Sequence, residues 1–177
     1  MRLLRRTLKE QSRQLRKKHK SLRKVLETRM DIEKLREEIE TDEGNVNEIY
    51  LDHLSLETFG IGHLVKNTDP EYGMPVGTPV SRKRINSCFD DDIQGTIEDC
   101  EKLYEDFYKL PEEVMLILCN MMYNLGYTRL SKFSKLKKAV NENNWKEASE
   151  QMYQSKWRTQ VPNRAERLIN RMKAVGV

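Results

Sequence analysis

A nearly continuous apolar run over residues 114–122 constrains the fold of this chain more than any other feature. Val114, Leu118 and Met122 recur in it at intervals of four residues, and Pro111-Glu112-Glu113 before it is typical of the first turn of a helix. A helix that is apolar on every side is stable only when other elements cover it. The run therefore predicts the buried central helix of a mostly helical lobe, with its methionines as core residues.

The composition is that of a small soluble protein. The 177 residues are 37% hydrophobic, which suffices for one or two compact lobes. No apolar stretch approaches the ~20 residues that span a bilayer, and the amino-terminal segment lacks the apolar core of a secretory signal. From Ser81, which can cap a helix, the sequence reads as a succession of helices. We therefore expect a soluble protein with no signal peptide.

The cysteines predict neither a disulfide framework nor a metal site. Cys88, Cys100 and Cys119 are odd in number and lack metal-ligand spacing. We expect reduced thiols within helices, with Cys119 in the core, although a disulfide between two of them stays open because sequence does not position the side chains. We expect no metal or other cofactor.

An amphipathic helix is predicted just after the first thirty residues. Between Asp31 and Gly44, the residues Ile32, Leu35 and Ile39 share one helical face, and Gly44 suits the left-handed conformation that ends helices. Glu43 lies in the last turn, where the carbonyl ends of the helix disfavour a charged carboxylate. The next stretch, Asn45 to Phe59, alternates only loosely, which predicts short irregular strands. Its candidate inward residues are Ile49, Leu51, Leu54 and Leu56.

Two carboxyl groups are thereby expected to face each other. Glu43 on the helix end would oppose Asp52 on a strand, and the hydroxyl of Thr58 could hold a water between them. Glycosidic cleavage requires such a pair, because one group protonates the leaving oxygen while the other, ionised, guides water or meets the sugar carbon. The alternative is a solvated surface role, since 28 of the 177 residues are acidic and such a pair arises by chance.

A longer series of motifs distinguishes the two interpretations. The order and the separations of these motifs resemble those of the phage-type lysozymes, the family of the T-even bacteriophage endolysins (glycoside hydrolase family 24). The resemblance covers about residues 32–172. The motifs are Asp42-Glu43-Gly44, Ile49-Tyr50, Asp52, Thr58-x-Gly60-Ile61-Gly62-His63-Leu64, Asn120-Met121 with Gly126, Trp145-x-Glu147-Ala148, Ser155-x-Trp157 and Pro162-Asn163-Arg164-Ala165.

The resemblance implies an α+β, predominantly helical fold with a small β-containing lobe, a larger helical lobe and a cleft between them. It implies hydrolysis of the β-1,4 linkage between N-acetylmuramic acid and N-acetylglucosamine in bacterial peptidoglycan, with lysis of the cell. Glu43 would be the general acid, Asp52 would orient or activate water, and Thr58 would help to hold that water. The family is regarded as inverting, which fits two carboxylates with room for a water.

The resemblance also implies supporting and substrate-binding residues. Arg164 would reach Glu43 from the carboxy-terminal part and favour its charged form, and His63 and Asp92 would form a structural salt bridge. Saccharide contacts would come from Leu64, Tyr123, Leu136 and Gln151, with Tyr123 offering a ring and a hydroxyl. For these four, the alternative is packing at the edge of the cleft.

Two segments depart from the family pattern. The turn between Asp52 and Thr58 contains no glycine, so residues that tolerate tight turns less well must form it. The region between His63 and Asp92 is rich in proline and glycine and predicts a loop rather than a paired strand. If the turn misplaced Asp52 or Thr58, the alternative function would be a catalytically weak glycan-binding protein. A third alternative is an interaction protein on the same fold, in which the basic amino-terminal segment is the active element.

The first thirty residues lie outside the resemblance. They contain twelve Lys or Arg and two acidic residues, whereas residues 31–177 contain twenty and twenty-six. Leu8, Leu15 and Leu22 recur every seven residues, which allows a basic helix with a thin apolar stripe. Three interpretations stay open: binding to an anionic membrane or cell-wall polymer, binding to nucleic acid or an acidic partner, which we rank lower, and a solvated extension.

The sequence thus predicts a basic extension, residues 1–30, and a lysozyme domain, residues 31–177. Within the domain, residues 31–80 would hold a helix and the small β lobe, and residues 81–177 the helical lobe. We expect a monomer that acts on the bacterial cell wall, reached from a host cytoplasm if the source is a phage or by secretion if it is a eukaryote.

Overall fold

The computed structural model describes residues 29–176, which form a mostly helical structure with one small antiparallel sheet. The predicted α+β, predominantly helical class is confirmed. The predictions for the basic extension fall on residues 1–28, which lie outside the described residues. Arg29 and Met30 already belong to the packed structure, because Met30 is buried and Arg29 donates a hydrogen bond to the carbonyl oxygen of Tyr108 at 2.8 Å.

Seven α-helices and one turn of 3-10 helix, Phe107–Lys109, lie within residues 29–176. None of these helices is both long and apolar enough to cross a membrane. In chain order the α-helices are α1 (Ile32–Glu43), α2 (Arg82–Leu103), α3 (Glu112–Leu130), α4 (Ser134–Asn141), α5 (Trp145–Tyr153), α6 (Lys156–Gln160) and α7 (Pro162–Ala174).

Polar caps set the ends of the two helices that flank the sheet. The carboxylate of Asp31 accepts a hydrogen bond from the amide of Lys34 at the start of α1, and the hydroxyl of Ser81 accepts one from the amide of Arg84 at the start of α2. Gly44 ends α1 with φ 76°, a conformation that favours glycine. The predicted bounds of α1 and the predicted cap at Ser81 are confirmed.

The predicted central helix is α3. Every residue from Val114 to Met122 is buried, and α3 contacts α1, α2 and α7. Gly126, at φ 68°, interrupts the helix near its end. This helix is therefore the buried centre on which α1, α2 and α7 pack, as the apolar run predicts.

All three cysteines are buried and free. Burial raises the pKa of Cys88 to about 11 and raises that of Cys100 as well. Cys88 and Cys100 lie in α2 and Cys119 lies in α3, so the prediction of free thiols within helices, with Cys119 in the core, is confirmed.

The sheet consists of β1 (Val46–Leu51), β2 (Glu57–Gly60) and β3 (His63–Leu64), in that order and antiparallel. Opposite Thr58 of β2 lie Tyr50 of β1 and Leu64 of β3, so these three side chains share one face of the sheet. The other face packs against α2, where Phe59 is fully buried.

Three of the four predicted inward residues are wrong. Ile49 is fully buried, but Leu51, Leu54 and Leu56 are 51%, 56% and 43% exposed. Leu51 shares a face with Ile49 but is the last residue of β1, while Leu54 and Leu56 lie in the loop that joins β1 to β2, so all three lie beyond the buried part of the strand. Alternation in the sequence indicates two faces without showing whether both are covered.

The proline- and glycine-rich segment after β3 is a loop, as predicted, but its end pairs with the sheet. The amide of Ile49 donates to the carbonyl oxygen of Thr78 at 3.0 Å, and the amide of Gly77 donates to that of Ile49 at 2.8 Å. From α2, Arg84 donates hydrogen bonds to Glu71 and, at 2.8 Å, to Asp69. The loop is therefore fixed at both β1 and α2.

Helix α2 links the sheet to the helical core, because it contacts β2, β3 and α3. Helix α1 contacts α3. The predicted boundary between the lobes at residue 80 coincides with the start of α2, and the division of the chain into these units stays a prediction.

Candidate active site

Glu43 is the last residue of α1, and its two carboxylate oxygens face different elements. Oε1 lies 2.5 Å from Nη1 of Arg164, which reaches it from α7. Oε2 lies towards the turn between β2 and β3, where a β-carbon added to Gly62 would be 3.9 Å from it. The carboxyl group is thus anchored on one side and faces the sheet on the other.

Buried polar groups hold Arg164 in place. Its Nε donates to the side-chain oxygen of Asn120 at 2.6 Å, and its Nη2 donates to the backbone oxygen of Asn120 at 2.9 Å. Arg164 is only 6% exposed and Asn120 is fully buried. The contact between Arg164 and Glu43 that the resemblance implies is therefore present and rigidly supported from α3.

A second ion pair lies beside the first. Asp42 accepts hydrogen bonds from Arg167 at 2.9 and 2.6 Å and from Asn120 at 3.1 Å. Burial would raise the pKa of Asp42, but these hydrogen bonds and the charge of Arg164 outweigh it and lower the pKa. Sequence analysis assigned no role to Asp42, Asn120 or Arg167. The signal was available, since Arg167 lies three residues after Arg164 and therefore on the same helical face.

Asp52 follows β1 directly and closes the loop to β2. Its Oδ1 accepts hydrogen bonds from the amides of Leu54 at 2.8 Å and Leu56 at 2.9 Å. The amide of Leu56, followed by that of Leu54, holds the pKa of Asp52 below its usual value, although partial desolvation opposes the shift. The loop without glycine is formed with Ser55 at φ 61°, a left-handed conformation. Asp52 is therefore an ionised carboxylate with a fixed orientation.

Thr58 lies in β2 between Tyr50 and Leu64. It is only 4% exposed, and its hydroxyl donates to the carbonyl oxygen of Leu56 at 3.1 Å. Because the hydroxyl proton is used in this bond, the oxygen remains as an acceptor for a water.

The phenol of Tyr50 is affected by the charges of both carboxyl groups. Burial, followed by the charges of Glu43 and Asp52, raises the pKa of this half-buried phenol. Tyr50 is the penultimate residue of β1, and Asp52 follows that strand directly. Tyr50 thus lies directly opposite Thr58 and senses the charges of both acids, and sequence analysis quoted it only as part of a motif.

His63 forms the predicted salt bridge and has a second acidic neighbour. Its Nδ1 lies 2.5 Å from Asp92 on α2, and its Nε2 lies 3.2 Å from Asp69 in the following loop. Burial would lower the pKa of His63, but both carboxylates outweigh it and raise the pKa. His63 thus ties β3 to α2 and to the loop, and Asp69 was missed in the sequence.

The four predicted saccharide contacts lie in different surroundings. Leu64 is 45% exposed on the sheet face beside Thr58, whereas Leu136 is 1% exposed inside the core. Its aliphatic side chain is covered by the helices, so the predicted sugar contact of Leu136 is wrong and its role is packing. Gln151 is half-buried and donates a hydrogen bond to Glu147 at 2.8 Å on the same helix.

Tyr123 differs from its prediction in the use of its hydroxyl. This group donates to the backbone oxygen of Ile61 at 2.6 Å, which joins α3 to the turn between β2 and β3. Burial, with the charges of Asp92 and Glu43, raises the pKa of Tyr123. The hydroxyl that was expected to serve a sugar is already bonded to the protein.

Among residues 29–176, no group of three or more His, Cys, Asp or Glu side chains could hold a metal ion. The groups available at this site are carboxyl groups, an arginine, hydroxyls and backbone amides. This set suits proton transfer and the orientation of water.

Comparisons with known proteins agree with this arrangement. Residues 40–174 match the phage lysozyme family. The chain is similar to "Probable T4-type lysozyme 2" of Dictyostelium discoideum, with 28% identity over 158 residues, covering 78% of this chain and 93% of the relative. It is also similar to "Probable T4-type lysozyme 1" of the same organism, with 25% identity and the same coverage. The family match spans well over half of the chain and includes Glu43, Asp52, Thr58 and Arg164, and the chain therefore belongs to the phage lysozyme family.

Proposed function

We propose that this protein is a peptidoglycan muramidase that hydrolyses the β-1,4 linkage between N-acetylmuramic acid and N-acetylglucosamine and lyses bacterial cells. Family membership supports a lysozyme, hence a glycoside hydrolase with peptidoglycan as its substrate. One observation supports the bond cleavage most: Arg164 holds Oε1 of Glu43 at 2.5 Å, while Oε2 of Glu43 lies towards the turn of the sheet whose strands carry Tyr50 and Thr58 and lead into Asp52. One carboxyl group at a helix end and one after a strand of the same small sheet support a mechanism with two carboxyl groups.

The two carboxyl groups take different parts in the reaction. Asp52 accepts two backbone amides and is ionised, so it takes a proton from a water as the water oxygen bonds to the anomeric carbon. Glu43 gives its proton to the glycosidic oxygen as the bond from that oxygen to the anomeric carbon breaks. The entering water and the leaving sugar lie on opposite sides of the ring, which inverts the configuration.

Arg164 and Thr58 support these two steps. Glu43 can carry its proton on Oε2, which faces the sheet, while Oε1 continues to accept from Arg164. Thr58 uses its proton for the carbonyl oxygen of Leu56, so its oxygen accepts a hydrogen bond from the water that Asp52 activates. The arginine thus orients the acid, and the threonine helps to orient the nucleophile.

Clearing of a peptidoglycan suspension tests the proposal. The parent should clear it, while Glu43→Gln and Asp52→Asn, both verified as folded, should each lose at least ~100-fold in rate, as expected for loss of a catalytic proton-transfer group. Matched controls are Glu37→Gln, an exposed residue of the same helix, and Asp91→Asn, an exposed residue of α2. Both controls should retain the parent rate. A folded parent that leaves the suspension turbid contradicts hydrolysis and favours the weak glycan-binding alternative.

The stereochemistry of the product provides a separate test of the mechanism. Proton NMR of the first product formed from a soluble glycan fragment should show the α-anomer, because an inverting enzyme converts a β-linkage into an α-product. A β-anomer as the first product would show retention and exclude the role of Asp52 as a base on water.

For the amino-terminal segment we propose binding to anionic polymers of the bacterial envelope. The support is its charge, because residues 1–30 contain twelve basic and two acidic residues beside an acidic remainder. Since Met30 is buried, the appropriate deletion ends at residue 28. This deletion should lower activity on whole cells at low salt more than activity on soluble glycan fragments. Equal losses on both substrates would contradict the proposal, and salt-dependent binding to nucleic acid would favour the other interpretation.

A further inference from the structure

Two tyrosines lie within reach of the charge of Glu43, and their hydroxyls differ in one respect. The hydroxyl of Tyr123 donates to Ile61 at 2.6 Å. The hydroxyl of Tyr50 makes no hydrogen bond to any residue between 29 and 176. A half-buried hydroxyl without a partner in the protein is available to a ligand.

The sheet places Tyr50 beside the residues of the reaction. It lies directly opposite Thr58, which in turn lies opposite Leu64, so the three form one row across the strands. Asp52 follows the strand that carries Tyr50, two residues later in the chain. Leu64 is 45% exposed, which leaves this face open at its β3 end.

Glu43, at the end of α1, lies near the turn next to this row of residues. Oε2 of Glu43 lies towards Gly62, in the turn that joins β2 to β3. Tyr123 fixes that turn to α3 through its hydrogen bond to Ile61. Glu43 therefore lies near the turn at the β2–β3 end of this row, and Asp52 follows the strand that carries Tyr50.

The chemistry of the phenol suits a sugar. Desolvation and two negative neighbours keep the Tyr50 hydroxyl protonated, so it is a hydrogen-bond donor. A sugar ring offers hydroxyl and acetamido oxygens as acceptors, and its apolar face fits an aromatic ring. Neither carboxylate can donate a hydrogen bond when ionised, so the phenol adds a function that the two acids lack.

We propose that Tyr50 is a substrate-contacting residue, which donates a hydrogen bond from its hydroxyl to an oxygen of the sugar bound between Glu43 and Asp52. The inference rests on the proposed hydrolysis of a glycan at this site. It assigns to Tyr50 the contact that the sequence analysis expected of Tyr123.

Binding of a soluble peptidoglycan glycan fragment tests the inference without requiring turnover. The comparison is between Glu43→Gln and Glu43→Gln/Tyr50→Phe, measured by isothermal titration calorimetry. The double variant should bind about 3- to 10-fold more weakly, the effect of one neutral hydrogen bond. In the active protein, Tyr50→Phe alone should raise KM by a similar factor.

Two further tyrosine variants separate a ligand contact from a folding contact. Tyr50→Phe should leave the thermal midpoint unchanged, because its hydroxyl has no partner among residues 29–176. Tyr123→Phe should lower the midpoint, because it leaves the carbonyl oxygen of Ile61 unbonded. Tyr127→Phe, on an exposed part of α3, should change neither binding nor the midpoint.

Each outcome decides between the inference and the function on which it rests. Equal binding with and without the Tyr50 hydroxyl, in a parent that clears peptidoglycan, overturns the inference and leaves the function. Weaker binding in the double variant, with a parent that fails to clear, supports the contact and overturns hydrolysis. Absence of binding by Glu43→Gln overturns the inference whether or not the parent is active.

Discussion

Nη1 of Arg164 lies 2.5 Å from Oε1 of Glu43, although 121 positions separate the two residues in the chain. The pair joins the end of α1 to α7 and is supported by Asn120 from α3. Three helices thereby determine where one carboxyl group lies, which is the arrangement expected of a site that must orient its acid.

Replacing Arg164 by glutamine should destabilise the protein and impair the reaction. The change removes the charge that faces Glu43 and Asp42 and removes the Nε donor of the side-chain oxygen of Asn120. Breaking a buried pair from one side costs about 3 kcal/mol in free energy of unfolding, measurable by urea denaturation. A comparison with Lys109→Gln is informative, because the ion pair of Lys109 with Asp106 is exposed and should contribute little. Equal effects of the two changes would contradict the structural role assigned to Arg164.

Replacing Ser55 by glycine should stabilise the loop that carries Asp52. Ser55 has φ 61°, and a non-glycine residue pays about 1 kcal/mol for that conformation. Part of the gain is offset by the greater freedom of glycine in the unfolded chain, so we expect about 0.5 kcal/mol more stability by denaturant unfolding. The same change at Ser131, where φ is −61°, should destabilise the protein. A loss of stability at both positions would show that the Ser55 conformation carries no strain.

Much of the fold and of the site is predictable from short segments of the sequence. The bounds of α1 follow from Asp31 and Gly44, because a cap and a left-handed terminus are local properties. The burial of residues 114–122 follows from their composition alone. The contacts of Glu43 with Arg164 and of His63 with Asp92 came from the family resemblance, since no local pattern connects positions so far apart.

The predictions that were wrong concern residues whose burial or bonding depends on how distant elements pack together. Leu54 and Leu56 alternate as inward residues would, but the chain turns there instead of continuing as a strand. Leu136 is buried because α4 packs on α5, and only the assembled helices show this. Likewise, the hydroxyl of Tyr123 meets Ile61 across 62 positions, a contact to which no periodicity points.

The salt bridges of His63 predict a dependence of stability on pH. Because Asp92 and Asp69 raise the folded pKa of His63 above its ordinary value of 6.5, the charged ring stabilises the folded state. This contribution is fully present below the unfolded pKa and is lost as pH rises through the folded one. The difference in free energy of unfolding between the parent and His63→Gln should therefore shrink as pH rises above about 6.5 and through the raised folded pKa.

At low pH, the stabilisation from the ion pair between His63 and Asp69 is limited by protonation of Asp69. Burial opposes its charge, but hydrogen bonds from Lys66, His63 and Arg84 lower the pKa of Asp69. Its contribution therefore persists until pH falls through that lowered pKa. Exposed His53 provides the control, and His53→Gln should follow the parent throughout. A constant difference between the parent and His63→Gln across this range would contradict the ion-pair assignment.

Gly60, the last residue of β2, and Gly62, in the turn to β3, should respond differently to substitution by alanine. Both have positive φ, 63° at Gly60 and 73° at Gly62, so each substitution carries a backbone cost of about 1 kcal/mol. A β-carbon at Gly60 would also lie 2.7 Å from Cγ2 of Ile85 on α2, whereas one at Gly62 would lie 3.9 Å from Oε2 of Glu43. We expect Gly60→Ala to lose more free energy of unfolding, measured by urea denaturation. We expect Gly62→Ala to lose more activity relative to its loss of stability.

A double-mutant cycle with Ile85 isolates the steric part of the effect at Gly60. Ile85→Ala removes both γ-carbons that a new β-carbon would meet, so the cost of Gly60→Ala should be smaller in that background. The backbone cost remains in both backgrounds, because φ at residue 60 does not depend on the side chain of Ile85. Additive losses would mean that the clash is relieved elsewhere and that α2 does not define the position of the β2–β3 turn. A coupling of about 1 kcal/mol or more would show that the helix behind the sheet holds the turn that faces Glu43.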